Sequence, residues 1–276
     1  MTKNKVLVSI TSIPRRIDVS LPKVLEGLKN QKLDFDLLVT VPRSYRKWGE
    51  WNQAKLEQIK SLATIHICDE DYGPATKLLG ALEFAVNKDY DKIITLDDDI
   101  YPSNPNYLNY LDDLSDLDRN QAWTLGGIKL LMPPYHSRFG LWNRNSYTFA
   151  DAVSGYRGVV YPARKLVGSS MPFNLLKEVP SGAYSEDDAY FGAMLFKLGI
   201  KIIAARPHPN SPFVGSDGGA SAIDEKTSIS RRDNEGMLFK YFVQHGMIGH
   251  GIIRSGISSE IKREAKEIYL RYKQST

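Results

Sequence analysis

The stretch Ile94-Thr95-Leu96-Asp97-Asp98-Asp99-Ile100-Tyr101-Pro102, ITLDDDIYP, decides how this chain is read. Three adjacent carboxylates close an apolar run. Like charges at that spacing repel one another and resist burial. Such a segment fits a buried strand that leaves the core where a cation can meet it. In extended geometry alternate side chains share a face, so Asp97 and Asp99 are expected to point together and Asp98 away. Two converging carboxylates suit a hard divalent ion with oxygen ligands, Mg²⁺ or Mn²⁺.

The sequence upstream supports a buried strand. KVLVSITSI (5–13), FDLLVTV (35–41), TIHIC (64–68) and KIITL (92–96) are short apolar runs rich in β-branched residues. LPKVLEGLKNQ, NQAKLEQIKSLA and TKLLGALEFAVNKDY separate them with apolar residues at helical spacing, as at Leu21, Val24, Leu25 and Leu28. Strands alternating with helices predict an α/β fold with a mostly parallel sheet covered on both faces. Ligands bind such sheets at the carboxyl ends of the strands, where Asp97 to Asp99 are expected to lie.

Beyond position 101 the alternation loosens. NYLNYLDDLSDL predicts a helix, AWTLGGIKLL and GYRGVVYPARKL strands, SEDDAYFGAMLFKLG a helix and IKIIAA a strand. EGMLFKYFVQHG and SSEIKREAKEIYLRYK read as closing helices, the last packing on the body with a narrow apolar stripe. The expectation is one domain over 1–276, with 1–101 forming one half and 102–276 a mixed second half.

Two further stretches carry chemistry. In CDEDYGPATKLL (68–79) a Gly73-Pro74 turn precedes a helix. Its first N–H groups and Lys77 make an anion site on the same sheet edge. In SEDDAYFGAMLFKLG (185–199) Ser185 can cap the helix, and Asp187 shares a stripe with Phe191, Leu195 and Leu198. Asp187 is therefore expected to point inward, and Glu186 and Asp188 to turn away and complement the helix dipole. A metal site and an anion site on one edge suit a nucleotide diphosphate.

Composition narrows the class. The 276 residues are 42% hydrophobic and 25% charged, ordinary for a globular protein. The net charge of +4 is too dispersed to argue for nucleic acid. One cysteine, Cys68, precludes an internal disulfide and suits a reducing compartment. No apolar run reaches the roughly 20 residues of a membrane span, so a cytoplasmic protein is expected, with membrane contact at most peripheral.

The quoted pieces together resemble GT-A-fold glycosyltransferases. ITLDDDIYP is similar to their Asp-x-Asp segment. SEDDAYFGAMLFKLGIKI resembles the later Glu-Asp motif of inverting members, including the acid-acid-x-x-x-Gly pattern of the β-1,3-galactosyltransferase group. VSITSIPRR (8–16) occupies the place of the first nucleotide-binding segment, and VTVPRSY stands where the family-2 type often carries an Asp. The resemblance spans about positions 5–205. It implies metal-dependent, inverting transfer of a sugar from a nucleotide-diphosphate donor, a UDP-sugar, to a glycan or glycoconjugate. Asp99 would ligate Mn²⁺ or Mg²⁺, and Asp97 would bind metal or ribose. Thr11, Pro14, Arg15 and Asp98 would lie by the nucleotide, and Lys77 by the diphosphate. Asp187 would be the general base, and His208 a third metal ligand. A sugar-nucleotide nucleotidyltransferase is the alternative, although TSIPRR lacks the glycine-rich loop of that class. A catalytically silent binding protein on the same fold is a second alternative. Tyr135, Phe139, Trp142 and Tyr147 are a candidate sugar platform. The loop over 210–232, with Arg231 and Arg232, is a candidate lid.

Overall fold

The computed structural model describes residues 5–17, 19–50, 53–130, 138–140, 147–179, 186–210, 213–215, 238, 240–242, 244–246 and 257–274. Ser185, Tyr135, Trp142, the side chain of Phe139, and nearly all of the 210–232 loop with Arg231 and Arg232 lie outside the described residues.

The first half alternates as the periodicity predicts. Strand β1 (Val6–Thr11), helix α1 (Leu21–Lys29) and β2 (Asp36–Pro42) lead into a short hairpin of β3 (Ser44–Tyr45) and β4 (Gly49–Glu50). Helix α2 (Gln53–Ile59), β5 (Thr64–Cys68), α3 (Thr76–Ala85) and β6 (Lys92–Leu96) follow. Strand β7 (Ile100–Pro102), α4 (Tyr107–Asp116), β8 (Ala122–Thr124) and β9 (Gly127–Leu130) come next. The chain continues through β10 (Arg138–Gly140), β11 (Thr148–Ala150), β12 (Ala152–Val153) and β13 (Val159–Pro162). Helices α5 (Ala163–Leu166), α6 (Met171–Glu178) and α7 (Asp187–Lys197), strands β14 (Ile202–Ala204) and β15 (Phe213–Gly215), and α8 (Ser259–Gln274) complete it. AWTLGGIKLL, read as one strand, is two: β8 joins the main sheet and β9 a separate small one. A Cβ on Gly127 would lie 2.8 Å from Ala150 Cβ and 3.2 Å from Ala204 Cβ, so glycine admits the close approach where β9 leaves the main sheet.

The main sheet has eight strands in the order β11-β14-β8-β13-β6-β1-β2-β5. Strands β6, β1, β2 and β5 run parallel, and β13 enters antiparallel beside β6. The chain builds outward from β1 through β2 to β5, then returns to place β6 on the other side of β1. The carboxyl ends of β1 and β6 thus flank a reversal of strand order, where open α/β sheets form their ligand crevice.

Alternation sends side chains to two cores. Leu7, Leu38 and Ile93 face α3 and α7; Val6, Val8, Ile10, Ile94 and Leu96 face α1 and α4. On the first face α3 comes close to the sheet. A Cβ on Gly80 would meet Cys68 Sγ at 2.7 Å and Thr40 Cβ at 2.9 Å, so only glycine permits this approach. On the other face α8 packs against α4, where Arg271 and the Tyr272 hydroxyl each reach Asp113 at 2.8 Å. Among the described residues no helix is long and apolar enough to cross a membrane.

His208 is enclosed where α4 and α8 meet. The rings of Tyr110, Tyr272 and Tyr107 lie 5.1, 5.5 and 5.8 Å from its own. It is 5% exposed, and its Nδ1 accepts from the Asn210 N–H at 3.2 Å. Burial lowers its pKa from 6.5 to about 4. The unfolded chain takes up a proton near pH 6.5 that the folded chain refuses until about pH 4. Stability is therefore full above pH 6.5 and falls as the pH drops through that window, by roughly 3 kcal/mol. His208→Phe should flatten the melting temperature between pH 6.5 and 4; an unchanged acid slope would contradict this burial.

Candidate active site

The candidate site lies at the carboxyl ends of β1 and β6, and its centre is Lys77 in the first turn of α3. Lys77 is 5% exposed. It donates to Asp97 Oδ1 at 2.7 Å and meets Asp187 Oδ2 at 2.8 Å, the second as a charge contact rather than an aligned hydrogen bond. Burial alone would lower the Lys77 pKa, but Asp187 and Asp97 outweigh it and hold the group well above its usual value. Lys77 is charged across the physiological range.

The extended alternation ends at Leu96, the last residue of β6. Asp97 turns to Lys77, whereas Asp98 and Asp99 share one guanidinium, that of Arg16. The expected pairing of Asp97 with Asp99, with Asp98 pointing away, is therefore replaced by a division between two cations, because the chain bends directly after the strand. Asp98 is buried. Its Oδ1 accepts from Arg16 at 2.5 Å and its Oδ2 from the Ser12 hydroxyl at 2.5 Å. Burial raises the Asp98 pKa, with Arg16 and Ser12 opposing. The Tyr45 hydroxyl, on β3, donates to the Ser12 carbonyl and fixes this segment from the hairpin side.

Asp187 opens α7 and points inward, its side chain 11% exposed. Neither neighbour is left facing solvent as the stripe predicts: Glu186 is 4% exposed, and Asp188 turns into the cluster. Its Oδ1 accepts from the Gly155 N–H at 2.9 Å. Asp188 is partly buried, and burial, then Asp187, raises its pKa well above the usual carboxylate range. Both acids of the first helical turn therefore face the cluster, Asp187 through Lys77 and Asp188 through the Gly155 N–H. Gly155 is confined: a Cβ there would lie 2.9 Å from Lys77 Nζ and 3.2 Å from Asp188 Oδ1.

The other expected residues are placed as follows. Thr11 donates its hydroxyl to the Thr40 carbonyl at 2.8 Å, which ties β1 to β2. Pro14 begins the turn that carries Arg15 and Arg16. Arg15 lies over the Trp48 ring at 4.6 Å, beside the hairpin. The anion site expected at the start of α3 is served by the protein's own carboxylates: Asp71 accepts from the Gly73 and Arg46 N–H groups at 2.8 Å, and Lys77 faces two aspartates. His208 sits in its tyrosine box. Asp97, Asp99 and His208 are not among the triads whose ligand atoms gather within 4.8 Å; His66, Cys68 and Glu83 are the one such group among the described residues. Ser12, Arg16, Gly155 and Asp188 were not expected in the site. Arg16 had a signal, adjacency to Arg15 in SITSIPRR, but a turn hides which arginine faces inward. Gly155 had none.

The cluster is acidic. Asp97, Asp98, Asp99, Asp187 and Asp188 are five carboxylates against two cations, Lys77 and Arg16. Three negative charges are in excess, or two with Asp188 protonated, and a divalent cation would balance two. Asp97 and Asp99 are the half-exposed members, with side chains 31% and 34% accessible. Their oxygen donors suit Mg²⁺ or Mn²⁺ rather than a softer ion.

Neither a family model nor a curated protein sequence matches the chain. Solved structures do resemble it. A mannosyltransferase from Pyrobaculum calidifontis, PcManGT, in complex with GDP-Man and Mn²⁺, is 13% identical over 98% of this chain and 70% of its own, at a TM-score of 0.49. TarS from S. aureus is 13% identical over 75% of this chain, at a TM-score of 0.45. The chain spans only 37% of the TarS length. A CMP:2-keto-3-deoxy-manno-octonic acid synthetase complexed with CTP is 11% identical over 74% of this chain and 90% of its own, at a TM-score of 0.45.

If Lys77 bridges the two halves, Lys77→Met leaves Asp187 without its cation and should destabilise by roughly 3 kcal/mol in urea unfolding. Adding Asp187→Asn should recover part of that loss. A single variant within about 0.5 kcal/mol of wild type would contradict the bridge.

Proposed function

We propose that this chain is a GT-A-type glycosyltransferase that transfers a sugar from a nucleotide-diphosphate donor, a UDP-sugar, to a hydroxyl of a glycan or glycoconjugate with inversion. The observation that supports this most is the acid-rich cluster with two buried cations at the strand-order reversal. That is where an α/β sheet binds a nucleotide and where an excess of negative charge favours a divalent ion.

Asp97 and Asp99 would hold Mg²⁺ or Mn²⁺. Such an ion neutralises a diphosphate and assists its departure as a Lewis acid. The protein's own groups do the rest. Lys77 screens Asp97 from Asp187, so an anionic donor can approach an acidic edge. Arg16 and Ser12 hold Asp98 in the buried wall behind Asp99. Thr11 and Pro14 shape the nucleotide edge, and Arg15, stacked on Trp48, offers its guanidinium there. Asp187, inward at the start of α7, takes the proton of the acceptor hydroxyl as the new bond forms on the face opposite the leaving diphosphate. Asp188, held by the Gly155 N–H, anchors this turn. His208 has no part in this scheme.

Calorimetry with UDP and Mn²⁺ tests the metal assignment. Asp99→Ala should lose metal-dependent UDP binding while the protein keeps its melting temperature. Equal affinity in the variant would remove Asp99 from the site. Asp187→Asn should keep donor affinity and lower kcat by roughly 10²–10⁴-fold. If Asp188→Asn proves the inactive variant and Asp187→Asn turns over normally, the base is misassigned.

A further inference from the structure

A second cluster lies away from the aspartates, between the edge strand β5 and helix α3. His66 and Cys68 are two residues apart on β5, so they share the face that looks onto α3, where Glu83 stands. One ligand atom from each lies within 4.8 Å of the other two. We propose that His66, Cys68 and Glu83 form a binding site for a borderline-soft divalent cation, Zn²⁺ in particular, that clamps the sheet edge to α3.

The geometry fits such an ion. His66 Nε2 and Glu83 Oε2 are 3.2 Å apart. Tetrahedral bonds of about 2.0–2.1 Å place two such atoms about 3.3 Å apart, so the pair is already at ligand spacing. The Tyr72 hydroxyl donates to the other Glu83 oxygen at 2.7 Å, the outer-shell contact that orients a ligating carboxylate. Gly80 lets α3 approach until Cys68 Sγ reaches this layer. The His66 and Glu83 side chains are 25% and 29% exposed, which leaves an entry path and room for a water as fourth ligand.

The chemistry selects the metal. On binding, the Cys68 thiol loses its proton to solvent and its sulfur forms the metal bond. Neutral His66 gives its Nε2 lone pair and keeps its proton on Nδ1, and Glu83 binds as the carboxylate. One thiolate and one carboxylate cancel the charge of a divalent ion, so the partly buried site becomes neutral. Sulfur and imidazole favour Zn²⁺ over the Mg²⁺ or Mn²⁺ suited to Asp97 and Asp99. Without metal, burial and then Glu83 hold the thiol well above its usual pKa, so Cys68 is a packed neutral thiol.

The test is a cobalt titration of untagged, reduced, chelator-treated protein, with Co²⁺ as the spectroscopic probe and Zn²⁺ as competitor. Expected are a thiolate-to-cobalt charge-transfer band and tetrahedral visible bands that saturate at one equivalent of Co²⁺, and loss of both on adding Zn²⁺. Cys68→Ser should abolish the charge-transfer band. His66→Ala and Glu83→Gln, whose side chains are partly exposed and so tolerate substitution, should each weaken Co²⁺ binding at least about tenfold, and Tyr72→Phe by about 10–100-fold. No thiolate band in wild type overturns the proposal, as does unchanged affinity in either His66→Ala or Glu83→Gln. The readout does not involve a nucleotide sugar, so its outcome is separate from that of the donor site.

Discussion

The structure depends on one buried ion pair network, that of Lys77 with Asp97 and Asp187. An ammonium removed from water costs several kcal/mol unless it is paired. Lys77 meets a carboxylate from the end of β6 and another from the start of α7. Three elements from both halves of the chain are thereby fixed at one point. The helix carrying Lys77 can settle there because Gly80 admits it close to the sheet and because the Thr40 hydroxyl donates to the Thr76 carbonyl at 2.9 Å. Packing positions the charge, and the charge in turn determines how the strand may leave the sheet.

Arg16 does the same for the other two aspartates. Alone, Asp98 would be too costly to bury; with Arg16 and Ser12 it is satisfied on both oxygens. The result is a graded edge. Asp98 belongs to the wall, Asp97 and Asp99 are half exposed, and Asp187 and Asp188 form the opposite side. Carboxylates outnumber cations throughout. Such an arrangement is poorly balanced by itself and better balanced with a divalent ion, which in turn offers its open positions to a diphosphate.

The sheet was legible in the sequence because its physics is local. Four β-branched apolar runs with intervening 3.6-period stripes leave little other than a covered parallel sheet, and the return of β6 beside β1 places Asp97 to Asp99 at the crevice. What was not legible is non-local. Period-two alternation predicted the directions of Asp97, Asp98 and Asp99, but it holds only while the chain is a strand, and it ends at Leu96. Helical phase predicted Asp187 inward, and it is; the same phase turned Asp188 outward, and the Gly155 N–H draws it in. Gly155 has no motif, since its value lies in the side chain it lacks. His208 drew attention as a solitary polar residue, and Tyr107 and Tyr110 on α4 with Tyr272 on α8 account for its burial.

The central claim is that a metal-bound nucleotide diphosphate sits between the end of β6 and the start of α7. The most direct measurement is paramagnetic broadening of amide NMR signals by Mn²⁺ in the presence of UDP. The account predicts that the amides of Asp97, Asp98, Asp99 and Gly155 broaden first, that those of β5 are spared, and that Asp99→Ala abolishes the effect. Broadening centred elsewhere, or none at all with UDP bound, would contradict it.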